Sequence, residues 1–410
     1  MDSTTLFYAI LVILVVQFAL DLLLDYLNSK RFKAAVPNEL DDVFDATEYS
    51  RSQEYKLRNY RFGLFNDGFS FLLTIGFLVF GGFGWLDTLV RKFTEDPIAM
   101  GILFFGAIAF TSSLIAIPFS WYQTFVIEER FGFNKVTPKI FITDILKGWL
   151  LASLLGSGIL AAFIWFLEFT GSNFWLYAWG MFIALMLFMN LFYSKLIVPL
   201  FNKQTPLEPG QLKSAIENYA QKVGFELKHI FVIDGSKRST KANAYFSGFG
   251  RQKQVTLFDT LIAELDEEEI VAVLAHEVGH YKRKHIQYNL LASILSTGIT
   301  LFILSVFVNS PQMSMAIGVD QPSFHAGLIG FVLLYSPIST LTGLLMNMLS
   351  RRFEFEADDY AKTTYAAQPL ITSLKKLSQR SLSNLTPHPA YVFMHYSHPP
   401  LIERIRNLKA

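Results

Sequence analysis

The sequence predicts a predominantly α-helical, multi-pass membrane protein with about seven spanning helices and a small α/β domain gathered on one side. Three observations carry that expectation. Of 410 residues, 52% are hydrophobic and only 17% are charged, against about 45–50% and 25% in an ordinary soluble domain. The apolar residues fall in blocks of roughly 20, the length a helix needs to cross ~30 Å of hydrocarbon. Two polar regions, 201–286 and 351–410, separate and follow these blocks.

Spanning helices are expected at about 6–27, 67–90, 99–123, 148–170, 174–198, 287–308 and 325–349. The chain therefore divides into helices one to five (1–200), a polar α/β segment (201–286), helices six and seven (287–350) and a C-terminal polar segment (351–410). The first block lacks the basic start and small-residue cleavage site of a signal peptide: Asp2 precedes it and LDLLLDYL follows. Asn66, Asp67, Pro118, Asn190 and Pro337 interrupt apolar blocks, and such groups are tolerated in lipid where they face protein or water.

Lys and Arg crowd the segments after helices one and three (Lys30 to Arg61; Arg130 to Lys147), and the opposite loops carry few. Positively charged loops stay cytoplasmic, so the N-terminus is expected outside and both polar regions inside the cell. The net charge of +1 gives no ground for a nucleic-acid partner. Cysteine is absent, so any metal must be held by histidine and carboxylates.

Residues 211–224 read as a helix, and HIFVID (229–234) and VTLFD (255–259) as short strands. ANAYFSGF (242–249) reads as an exposed edge strand. Asp266, with Glu267–Glu269 behind it, opens the next helix, where carboxylates complement the dipole. That helix carries IVAVLAHEVGHYKRKH and is expected to continue into the sixth span.

Within it, His276 and His280 are four residues apart, so both imidazoles project from one helical face and can share an ion. Glu277 is turned by about 100°, within reach of a water activated by that ion without ligating it. Zinc held this way lowers the pKa of its water toward about 7 and polarises a carbonyl, with the glutamate as general base. A chance HExxH in a chain this long is on the order of one in a hundred. A third ligand is needed, and RRFEFEADDYA (351–361) offers two candidates. Glu354 shares a helical face with Asp358, which would orient a ligating histidine. Glu356, roughly 200° away around the helix, competes with Glu354.

HEVGH, RRFEFEADDYA and HYSHPPLIERI (395–405), together with FVIEERFGFNK, LIVPLFNK, NAYFSGF and VTLFDTLI, resemble the type I CAAX prenyl proteases over most of the chain. These are integral-membrane zinc endopeptidases that process C-terminally prenylated proteins. The resemblance implies one Zn²⁺ per chain on His276, His280 and Glu354, which favours Glu354 over Glu356. It implies Glu277 as general base, Asp358 behind a ligating histidine and His398 at the oxyanion. Asn243, Ala244, Tyr245 and Phe246 match the edge strand to which a substrate adds. His285, His388 and His395 match no such element, and surface or packing roles are expected for them.

The implied fold is a ring of seven helices around a water-filled intramembrane chamber, capped by a gluzincin-like α/β zinc-metalloprotease domain. The implied partners are a C-terminally lipidated peptide or protein and membrane lipid, with the chain a monomer. The membrane would be the endoplasmic reticulum in a eukaryote and the inner cell membrane in a bacterium. One alternative is a membrane quality-control endopeptidase of the HtpX type, with no prenyl requirement. Another is an inactive seven-helix receptor or transporter, although neither Glu277 nor a ligand is missing.

Overall fold

The computed structural model describes residues 1–247 and 254–410. From the N-terminus run α1 (Ser3–Ser29), α2 (Ala46–Val79), α3 (Gly82–Arg91) and α4 (Pro97–Tyr122), which continues as a π-helical turn, Gln123–Glu128. Then come α5 (Pro138–Thr170), α6 (Phe174–Leu196) and α7 (Val198–Phe201). The polar segment holds β1 (Gln204–Pro206), α8 (Gln211–Lys222), β2 (His229–Ile233), β3 (Ala244–Ser247), β4 (Gln254–Phe258), α9 (Asp259–Glu264) and α10 (Glu267–Lys282). The remainder is α11 (His285–Phe307), α12 (Pro311–Ala316), α13 (Phe324–Thr364), α14 (Ala367–Arg380), α15 (Pro389–His395) and α16 (Leu401–Lys409).

Six stretches among the described residues are long and apolar enough to span a membrane, and one of them, Pro138–Phe201, is 64 residues long. At 1.5 Å per residue that stretch would reach about 96 Å, three times the hydrocarbon thickness. It reverses at Gly171, whose φ is +57°, and α6 returns against α5 through Phe163, Ile164, Phe174 and Ala178. The bundle thus makes the seven crossings expected.

Among the boundaries that differ from expectation, two are set by a single backbone angle. The second crossing was expected at 67–90, but α2 runs over Ala46–Val79 and breaks at Gly81, where φ is +69°. Hydropathy overlooks both the polar first turns of α2 and this left-handed glycine, which starts the separate α3. One face of α3 packs Phe83, Leu86 and Val90 against α1 and α4. The second difference concerns α10, which does not continue into the sixth crossing. Lys284 sits at φ +62° between α10 and α11, a conformation costing a non-glycine residue roughly 1–2 kcal/mol. By contrast, α13 passes unbroken from the seventh crossing through residues 350 and 351.

Outside the bundle, the sheet has the order β1-β2-β4-β3, parallel only between β2 and β4. β3 therefore lies at an edge among the described residues, paired to β4 alone with Tyr245 opposite Thr256 and Phe246 opposite Val255. Val255 and Leu257 point into a core shared with Ile216, Ile270, Leu274 and Val278. Asp25, Asp21 and Asp67 of the first two crossings lie near Tyr391 of α15. Burial raises the Tyr391 hydroxyl pKa, and these three carboxylates raise it further.

Candidate metal centre

The metal-site helix starts as its sequence dictates. Asp266 caps α10 in a capping box with Glu269, whose carboxylate accepts the Asp266 N–H at 2.9 Å. Lys376 of α14 holds the same Glu269 at 2.9 Å. Ile270, Val271, Leu274, Ala275 and Val278 bury one face of α10 in the domain core. The other face meets α13 at Gly279, where an added Cβ would lie only 3.0 Å from the Ala357 Cα and carbonyl oxygen. That close backbone approach sets Glu354 against the two histidines.

His276 Nε2 and His280 Nε2 are 3.2 Å apart. Glu354 Oε2 lies 3.4 Å from the first and Oε1 3.3 Å from the second. One ligand atom from each of the three residues fits within 4.8 Å of the others, a grouping able to hold a metal ion. Glu354 Oε2 is buried without a hydrogen-bond partner. A buried carboxylate oxygen in that state is costly, and a cation is what satisfies it. Two imidazoles and a carboxylate form the donor set of an open, three-ligand catalytic zinc site, so these residues fit the ion.

Behind these atoms lies a layer that turns them inward. Asp358 Oδ1 takes the Nδ1–H of His276 at 2.8 Å, leaving Nε2 free to face Glu354. Arg404 of α16 grips Asp358 with two bonds, at 2.6 and 2.8 Å, and lies 3.4 Å from Glu354 Oε2. Burial opposes the Arg404 charge, but the Asp358 hydrogen bonds and the charges of Asp358, Glu354 and Glu277 outweigh it and raise its pKa. Burial likewise opposes the His276 charge; the hydrogen bond to Asp358 and the Glu354 carboxylate alongside outweigh it and lift its pKa to about 9. On the other histidine, His280 Nδ1 meets His285 Nδ1 at 3.0 Å. His285 in turn reaches Glu356 Oε2 at 3.1 Å and stacks on Phe353 at 4.1 Å. Arg352 closes the chain with Glu356 at 2.9 Å.

Sequence reasoning missed Arg404 and gave His285 only a surface or packing role. The structure packs His285 on Phe353 but also makes it the partner of His280. The sole local sign of Arg404 is its place in LIERI, beside SHPP. Glu356 stands off the metal group, bonded to His285 and Arg352.

Glu277 is half-buried, one residue beyond His276. His398 comes from the far side, 63% exposed at its side chain, with Nε2 3.3 Å from Glu354 Oε1. Its segment is tied to α13: Arg351 donates to the Val392 and Tyr396 carbonyls, and Asn347 to the Met394 carbonyl at 2.8 Å. In the edge strand, Asn243 is exposed, while Ala244 and Tyr245 are half-buried. The Tyr245 hydroxyl accepts from Gln204 at 3.2 Å. The Phe246 side chain, and Gly248 and Phe249 of the same motif, lie outside the described residues.

The chain is similar to known proteins over nearly its whole length. Residues 25–203 match the profile of the CAAX prenyl protease N-terminal region, described as five membrane helices, and residues 206–410 match peptidase family M48. A protein named CAAX prenyl protease 1 homolog in Oryza sativa is 36% identical, with 98% of this chain and 96% of that protein covered. CAAX prenyl protease 1 of Saccharomyces cerevisiae is 34% identical, with coverages of 96% and 93%. The crystal structure of S. mikatae Ste24p superposes with a TM-score of 0.93 at 32% identity over 99% of both chains.

Proposed function

The chain belongs to peptidase family M48 and is an integral-membrane metalloprotease, and from that premise we propose that it hydrolyses peptide bonds near the C-terminus of prenylated proteins or peptides. The observation that carries the proposal is the convergence of His276, His280 and Glu354, whose ligand atoms lie within 4.8 Å of one another, with Glu277 next to His276 in the chain. In this reading those three residues hold one Zn²⁺ per chain. When bound, zinc supplies a positive charge that polarises the scissile carbonyl and acidifies the attacking water to a pKa of about 7.

The protein's own groups do the rest. Glu277 takes the proton of the attacking water and passes it to the leaving amine. Asp358 and His285 hold the Nδ1 sides of His276 and His280, so that both Nε2 lone pairs stay turned toward the metal position. His398 donates a hydrogen bond to the oxyanion as it develops. The edge of β3 that has no partner among the described residues, Ala244 to Phe246 with Asn243 before it, takes the substrate backbone as an added strand, which tolerates varied peptide sequences. The carboxylates Asp21, Asp25 and Asp67 support a hydrated chamber inside the helical ring. A lipidated C-terminus would enter that chamber from the bilayer. The concentration of Lys and Arg after the first and third crossings supports a cytoplasmic site in a monomer, in the endoplasmic reticulum or the inner cell membrane according to source.

The test compares wild type with Glu277→Gln on farnesylated and unfarnesylated CAAX peptides, with and without chelator. Wild type should cleave the farnesylated peptide alone and lose that activity to chelator. Equal cleavage of the two peptides would refute the prenyl requirement, and full activity in Glu277→Gln would refute the mechanism.

A further inference from the structure

A groove of about 580 Å³ runs between α2 and α4, lined by Phe62, Phe65 and Phe119 along its length and by Glu54, Arg58 and Arg61 at one end. Helical periodicity gives its direction. At 100° per residue, Arg58 lies about 180° and Phe65 about 160° around α2 from Asp67. Asp67 lies near Tyr391 and the α1 carboxylates, and Phe71 on that side stacks on Phe18 of α1 at 4.1 Å. The groove therefore opens outward, toward the bilayer, and Phe65 is 65% exposed within it.

The recess is built into the backbone. Pro118 interrupts the hydrogen-bond ladder of α4, and the helix then widens into the π-helical turn Gln123–Glu128. Gln123 donates to Asn59 at 2.9 Å and Tyr55 to Glu128 at 2.6 Å, pinning that turn to the adjacent face of α2. Stacked rings then floor the groove: Phe62 on Tyr122 at 5.1 Å and Phe65 on Phe119 at 5.9 Å. Phe69 follows against Phe119 at 5.3 Å. From Phe62 to Phe69 this floor extends about 10 Å, within the ~15 Å depth of one leaflet's hydrocarbon.

The other end is basic and lies nearest the zinc domain, to which α2 is tied there by Ser52 and Lys56 bonding the Leu382 and Ser383 carbonyls. Glu54 is shared by Arg58 at 3.3 Å and Arg130 at 2.6 Å. Arg61 has no carboxylate partner among the described residues. The lining therefore holds two guanidiniums, Arg58 and Arg61, to one carboxylate, and their planar forks suit phosphate.

We propose that this groove binds an anionic glycerophospholipid of the leaflet on the zinc-domain side, its phosphate on Arg58 and Arg61 and an acyl chain along Phe62, Phe65 and Phe119. The apolar floor and the surplus of positive charge at its end match a single amphipathic molecule in length and polarity. Glu128, which follows the lining residue Ile127 and accepts from Tyr55, also holds Lys241 at 2.9 Å, two residues before Asn243. The lipid seat and the start of the β3 edge therefore share one hydrogen-bonded group.

The test reconstitutes the full chain in nanodiscs of phosphatidylcholine with a minority of phosphatidylglycerol and measures the lipid retained after extraction by native mass spectrometry. Wild type should retain phosphatidylglycerol well above its bulk fraction. An arginine near a charged headgroup gives roughly a fivefold preference, so Arg58→Gln/Arg61→Gln should remove most of the enrichment. Phe65→Trp, which fills the groove and keeps its charges, should lower retention of both lipids. Lys92→Gln, at the opposite end of the bundle, should leave the enrichment intact. Unchanged enrichment in the double variant overturns the proposal, as does an equal loss in Lys92→Gln, which marks bulk attraction. Displacement of the lipid by inorganic phosphate overturns it as well. A raised KM for the farnesylated peptide with phosphatidylglycerol retention unchanged would assign the groove to substrate instead.

Discussion

Replacing Gly279 by alanine places one methyl group between the two halves of the metal centre. The new Cβ would stand 3.0 Å from the Ala357 Cα and carbonyl oxygen and 3.1 Å from the Tyr360 Cβ. Carbon pairs settle at about 3.5–4.0 Å. None of the three atoms can move by a rotamer change, so α10 and α13 must part by about 0.5 Å. His276 and His280 ride on one helix and Glu354 on the other, whereas metal–ligand distances tolerate only about 0.2 Å. Overpacking costs typically 1–3 kcal/mol, and alanine returns about 1 kcal/mol through helix propensity. The net loss of stability is then small, about 0–2 kcal/mol. The displaced ligand should lower kcat/KM further, by roughly 10- to 100-fold. The assay is chelator-competition zinc affinity alongside kcat/KM, with Gly343→Ala on α13 as control, because a Cβ there meets nothing within 4 Å. A Gly279→Ala enzyme with zinc affinity and kcat/KM within about twofold of wild type would refute the view that this approach places Glu354.

Four other outcomes follow from the same geometry. Glu277→Gln should cut kcat by about 10²- to 10⁴-fold with zinc content unchanged, read by turnover and metal analysis. Arg404→Met strands the buried Asp358 and should weaken zinc binding by roughly 10- to 100-fold; Arg404→Lys should fall between, since lysine lacks the two-pronged fork. His285→Leu keeps an apolar group against Phe353 but removes the partner of His280, and competition titration should show about tenfold weaker zinc binding. Lys241 is the pH-sensitive case. Burial lowers its pKa, but hydrogen bonds to Glu128 and Tyr55 outweigh this, for a net rise. A raised folded-state pKa gives stability that is complete below the ordinary lysine value and lost as pH climbs through the folded one. Thermal unfolding should therefore show a steeper alkaline loss in wild type than in Lys241→Gln.

The fold class was legible because membrane spans are long, apolar and local, and HExxH because its members share two helical turns. Boundaries were less legible where a single backbone angle decided them. Gly81 and Lys284 each turn the chain through positive φ, which hydropathy does not report: Gly81 lies within an apolar run and Lys284 within a polar one that a single helix could equally carry. Glu354 could be paired with Asp358 from spacing alone, yet its separation from Glu356 drew on resemblance. The residues that hold the histidines were hidden for a different reason. Arg404 reaches His276 across 128 positions, and His285 reaches Glu356 across 71. No periodicity within one helix encodes such a meeting, since it depends on how α10, α11, α13 and α16 pack. The edge position of β3 was readable from its alternating pattern, but its neighbour in the sheet was not.

The two halves of the site differ in how they are fastened. The histidine helix ends at the Lys284 joint, whereas Glu354 stands on an unbroken helix of 41 residues, with Pro337 inside it. Near that helix's far end His325 is clamped to Asp87 at 2.7 Å, about 44 Å from Glu354 along the axis. Such a rod acts as a lever: one degree of tilt about the clamp swings the carboxylate by about 0.8 Å. Spanning helices answer a change in bilayer thickness by tilting. Tilt carried past Pro337 would load first the place where α13 meets α10, at Gly279 and Ala357, so the contact that sets the carboxylate against the histidines is also the one that bears strain from the membrane.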